Sequence, residues 1–150
     1  MMKNIFLNLL FAIIMFSLSA YGDSHHSVPQ MPDTNMTLIW KKDIKTAFEQ
    51  AEKEQKNVMA MIEDPNCKWC VKMKKGALSD TRVQKSLQKY ILLKIDRSDQ
   101  VSMESLPDLR GPIPSFHFFT SKKRYIDKVA GYYETEDFLG YINEITEDNP

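Results

Sequence analysis

Cysteine is scarce in this chain: Cys67 and Cys70 are the only two in 150 residues. With no second Cys pair and only three histidines, a tetrahedral zinc site lacks ligands. His25 and His26 lie far upstream in a polar stretch, and His117 by itself does not complete a set. Covalent haem attachment needs a histidine directly after the second cysteine, and Val71 stands there. Net charge is also missing. Twenty basic residues balance twenty acidic ones, so no field points to nucleic acid. No internal repeat is visible. The apolar run from Ile5 to Phe16 is too short to make a good membrane span.

That run fits a secretory signal instead. Lys3 supplies a charged start, the apolar run follows, and Ser17-Leu18-Ser19-Ala20 leads to a small-residue cleavage pattern. Residues 1–22 are expected to form this signal, cut after Gly22 or alternatively after Ala20; an uncleaved anchor is the other reading. No cysteine follows the run, which argues against lipid anchoring at a bacterial lipobox. Residues 23–36, rich in Ser, Pro, His and Asp, read as a flexible linker. Residues 37–150 form one domain, large enough to bury a core. Export to the bacterial periplasm is expected, a compartment where disulfides form and persist. The terminal Glu147-Asp148-Asn149-Pro150 is no retrieval signal.

The domain is organised around Asp64-Pro65-Asn66-Cys67-Lys68-Trp69-Cys70. Val58–Ile62 before it has the length and composition of a buried strand, and a helix-compatible run follows through Lys75. A strand that stops at Asp64-Pro65 and restarts as a helix, with Asn66 as N-cap, puts the Cys67 sulfur on the first helical turn. Unpaired N–H groups and the positive dipole end stabilise a thiolate there. Cys70, about one turn on, can close onto Cys67. A structural disulfide is the alternative, but so small a loop constrains the unfolded chain little. Lys68 adds positive charge beside the thiolate while Glu63 and Asp64 oppose it. Trp69 is either a rim for partner chains or a buried anchor for the helix. His117, between Phe116 and Phe118, is expected to be a satisfied structural histidine.

The rest of the domain follows from periodicity and breakers. Thr37–Trp40 suggests an edge strand or a plug. Asp43 caps a helix through Lys56, with Ile44, Ala47, Phe48 and Ala51 on one face, and Asn57 ends it. Ser79 or Asp80 caps a further short helix bearing Val83 and Leu87. Tyr90–Asp96 reads as a second buried strand, parallel to the first because a helix joins them. A helical turn is expected around Met103–Leu106. Ser115–Phe119 and Tyr125–Val129 should form a hairpin, and Thr135–Thr146 a final helix with Phe138, Leu139, Ile142 and Ile145 inward. Lys72, Lys74 and Lys75 read as the solvated face of a helix.

Over Trp40–Thr146 these residues resemble the thioredoxin-like superfamily, in particular its exported bacterial branch related to the terminal domains of disulfide-reducing transporters. The resemblance rests on Cys67-Lys68-Trp69-Cys70 after a strand, Ile113-Pro114 before a strand, and Gly131 before the last helix. It implies an α/β fold, a central mixed β-sheet flanked by helices. It implies that Cys67 is the nucleophile, Cys70 the resolving thiol, and Pro114 a cis proline lying against the sulfurs. Ile113 would offer its backbone to an extended client strand. Two departures stand out. Pro112 is an extra residue in Arg110-Gly111-Pro112-Ile113-Pro114, and the family's frequent buried acid is Met61 here. Glu63 could stand in for that acid, although a solvated loop position is the simpler reading.

The activity so implied is thiol–disulfide exchange on client proteins with disulfides, with no cofactor beyond the Cys67/Cys70 pair. Oxidants of the superfamily usually carry a helical insert before the cis proline, and the stretch from Cys70 to Pro114 is already filled by ordinary elements. Isomerases often add a dimerisation domain, for which too few residues precede Trp40, so a monomer is expected. The resemblance therefore implies a single-domain disulfide reductase fed by a membrane-bound thiol electron donor. The alternatives are an isomerase or oxidase, or a non-catalytic module that only binds clients.

Overall fold

A computed structural model of the chain describes residues 37–148. The expected signal and linker lie outside the described residues. The elements run β1 (Trp40–Lys41), α1 (Ile44–Glu54), β2 (Asn57–Glu63), α2 (Lys68–Lys75), a 3-10 turn (Ala77–Ser79) and α3 (Thr81–Leu87). Then come β3 (Tyr90–Asp96), α4 (Gln100–Ser105), β4 (Ser115–Phe119), β5 (Tyr125–Ala130) and α5 (Thr135–Asp148).

The strands form one five-stranded mixed sheet in the order β1-β3-β2-β4-β5. Both β1 and β2 run parallel to β3, whereas β4 is antiparallel to β2 and β5 to β4. The side chains of β2 alternate between two buried layers. Val58, Ala60 and Ile62 pack with Ala47, Phe48 and Ala51 of α1. Met59 and Met61 pack on the opposite face with Cys70 and Met73 of α2, Val83 and Leu87 of α3, and Phe138, Ile142 and Ile145 of α5. A strand covered on both faces carries the near-continuous apolar run by which it was recognised.

Two differences from the expected elements have local causes. Helix α1 stops before Lys56 because Gln55 turns left-handed, with φ 54°, and its N–H returns to the Ala51 and Glu52 carbonyls. Asn57 then opens β2 instead of closing the helix. The helical turn expected at Met103–Leu106 lies earlier, because Asp99 caps α4 by accepting the Ser102 N–H at 3.1 Å. Leu139, expected inward on α5, is only half-buried.

Phe138 is fully buried, with its ring 4.6 Å from that of Phe116. Phe138→Ala should therefore destabilise the domain by about 3–5 kcal/mol. Urea unfolding measures it; a loss below about 1 kcal/mol would show that α5 does not anchor this layer.

Candidate active site

The end of β2 makes the site. Asp64 folds its side chain back to accept the Asn66 N–H at 2.7 Å, and its carbonyl accepts the Cys67 N–H at 3.1 Å. That turn uses Asn66, so the cap falls one residue later than expected. Cys67 itself is the N-cap of α2, and its Sγ accepts the Cys70 N–H at 3.0 Å. An amide that helix geometry leaves unpaired is thus aimed at the sulfur, which favours a thiolate. The two cysteines are joined as a disulfide with a Cα–Cα distance of 5.2 Å. Their exposure differs: Cys67 is half-buried, whereas Cys70 is fully buried.

Strand register brings two more loops to the same end of the sheet. Ile62 pairs with Ser115, so Pro114 stands level with the end of β2. The Ile113–Pro114 peptide bond is cis. Ser115 pairs in turn with Ala130, and the Gly131 N–H donates to the Pro114 carbonyl at 2.7 Å. Gly131 has φ +111°, a conformation that L side chains rarely adopt. Cys67 and Ile113 both pack against the core layer that contains Cys70. The structure thus brings Cys67, Cys70, Ile113 and Pro114 to one end of the sheet.

Trp69 is 56% exposed, and its ring lies 5.5 Å from that of Tyr132. Lys72 reaches the same pair of rings, its Nζ 4.0 Å from the Tyr132 ring centroid and 5.5 Å from that of Trp69. Lys72 and Tyr132 were not among the sequence candidates. The available signal was weak, since a Lys three residues after Trp69 and a Tyr after Gly131 meet only once the fold is known. Lys68 is exposed at the start of α2.

Glu63 is not the solvated loop acid it was expected to be. It is the last residue of β2, its side chain is 15% exposed, and it bonds Lys74 at 2.8 Å and stands 3.7 Å from Lys94. Strand pairing holds it there, since its register partner is Asp96 and its carbonyl accepts the Arg97 N–H. The carboxylate ties the cysteine helix to the ends of two strands. Met61, at the position of the family's buried acid, is fully buried in the layer that holds Cys70 and Met73.

His117 is buried, with its Nε2 2.9 Å from the Ser115 hydroxyl. It is only half satisfied, because its Nδ1 has no hydrogen-bond partner. Burial first, and then the Lys128 ammonium, push its pKa down to about 4, opposed by Asp108. The unfolded chain takes up this proton near pH 6.5, before the folded one does. The stabilisation is therefore complete above about 6.5 and is lost as pH falls towards about 4. Urea unfolding from pH 7 to 4 should show wild type losing on the order of 3 kcal/mol more than His117→Gln. Parallel profiles would contradict the assignment.

The sequence matches the model of a thioredoxin-like family over residues 39–121. No curated protein matches it. Among solved structures, a thioredoxin from Thermus thermophilus is similar at 22% identity and TM-score 0.65, covering 74% of this chain and 88% of that one. The DsbH oxidoreductase is similar at 13% identity and TM-score 0.63, covering 78% and 90%. The C-terminal domain of Neisseria meningitidis DsbD in its oxidised form is similar at 20% identity and TM-score 0.58, covering 71% and 98%. Identities this low establish a shared fold and no more. The family match goes further, because it spans more than half of the sequence and runs from β1 through β4. The chain belongs to the thioredoxin-like family.

Proposed function

We propose that this protein is an exported thiol–disulfide oxidoreductase that reduces disulfides in client proteins, with Cys67 as nucleophile and Cys70 as resolving thiol. The observation that carries the reading is the asymmetry of the pair. Cys67 is partly accessible and accepts a backbone N–H at a helix start, whereas Cys70 is fully enclosed. In the reduced protein the Cys67 thiolate attacks a client disulfide, forming a mixed disulfide and releasing one client thiolate. Cys70, having lost its proton, attacks Cys67 Sγ; the client leaves as a dithiol and the Cys67–Cys70 disulfide is restored. Two electrons pass to the client in each cycle.

The reductive direction rests on architecture. Between Cys70 and Pro114 lie the rest of α2, a 3-10 turn, α3, β3 and the six-residue α4, which has no buried residue. That is short of an inserted helical domain. A periplasmic reductant must be recharged by a membrane-bound thiol donor through the reverse exchange at Cys67. Ile113 and Pro114 would receive the client backbone, and Trp69 would form the rim of the groove.

Trapping tests the roles. Reduced Cys70→Ser protein, mixed with a disulfide-bonded client, should accumulate a mixed disulfide through Cys67. Cys67→Ser should accumulate none and should lose turnover altogether. Mixed disulfides forming predominantly on Cys70 would reverse the assignment, and absence of exchange by wild type would leave a binding module.

A further inference from the structure

The helix that carries the cysteines, α2, has the sequence Lys68-Trp69-Cys70-Val71-Lys72-Met73-Lys74-Lys75, with four lysines and no acid. Lys74 is committed to Glu63 at 2.8 Å. Lys68, Lys72 and Lys75 face solvent. Lys72 differs from the other two because the Trp69 and Tyr132 rings hold its ammonium in place. A cation fixed against aromatic faces has already lost rotamer freedom and part of its water, so it gives up less on meeting an anion. The chain supplies its own example of such an anion. The Glu134 carboxylate, 73% exposed, stands 3.6 Å from Lys72 Nζ. At that distance and exposure the pair is weak and a competing carboxylate can displace it. Glu136, the next acid, is held by Arg82 at 2.7 Å and does not compete.

We propose that the Trp69–Lys72–Tyr132 cluster is a specificity surface for acidic clients. It would receive a Glu or Asp side chain flanking the client cysteine, while Lys68 and Lys75 add longer-range attraction. This rests on the reductase reading above and names the substrate class of the same site. Glu134 acts as a resident placeholder that the client carboxylate replaces. Charge at the rim of an interface acts chiefly on encounter, so the selectivity appears in kcat/KM and fades with salt.

The test compares two disulfide-bonded peptides that differ only in having Glu or Gln residues beside the cysteine. At low ionic strength, wild type should prefer the Glu peptide about three- to fivefold in kcat/KM, the size of an exposed ion pair. Lys72→Gln should bring the ratio near one, Glu134→Gln should raise it, and about 0.5 M salt should erase it. Equal turnover of both peptides by wild type, or an equal loss on both in Lys72→Gln, overturns the proposal while leaving the reductase reading in place. Failure of wild type to turn over either peptide, or a small aromatic disulfide, defeats the reductase reading and this proposal with it.

Discussion

Strand β2 must be buried on both faces, and the placement of the site follows from that constraint. One face needs α1 and the other needs α2, α3 and α5. The strand also needs a hydrogen-bonding neighbour on each side, supplied by β3 in parallel and β4 in antiparallel pairing. An antiparallel neighbour brings the start of β4, and with it Pro114, to the end where β2 releases the chain into the cysteine turn. The β4–β5 hairpin returns Gly131 to the same end, where it bonds the Pro114 carbonyl. Three loops distant in sequence converge because one strand has to be covered and paired.

At that end the protein divides its polar interactions between two uses. Backbone amides serve the sulfur, since the Cys70 N–H points at Cys67 Sγ. Side-chain charges mostly fix the scaffold: Glu63 with Lys74 and Lys94 binds the cysteine helix to β2 and β3, and Asp108 with Lys128 at 2.6 Å pins the loop before Pro114 to β5. Met61 and Cys70 share one buried apolar layer. Cys67, half-buried at the helix start, and Cys70, fully buried one turn on, thus differ in environment.

The elements and the cysteine pair were legible in the sequence because both rest on local rules. Apolar runs of strand length marked β2 and β3, and the Cys-x-x-Cys spacing after a strand marked the redox pair. Boundaries failed where a side chain took over a backbone group, as Asp64 did in moving the cap from Asn66 to Cys67. Glu63 was misread because nothing local to it shows that Lys74, eleven residues on, and Lys94 both turn towards it. His117 was expected to be satisfied, yet only one of its ring nitrogens has a partner. The meeting of Trp69, Lys72 and Tyr132 depends on the hairpin's return path, which no window of sequence contains.

If the Cys67–Cys70 couple gives electrons to clients, as proposed, it must part with them readily. Its reduction potential tests this most directly, measured by equilibrating the purified protein against mixtures of reduced and oxidised glutathione. For a two-electron couple about 30 mV is a tenfold change in equilibrium constant, so the two directions of catalysis are widely separated on this scale. A reductive role predicts a value on the thioredoxin side, around −270 mV. A value near −120 mV, typical of a strong disulfide donor, would contradict it.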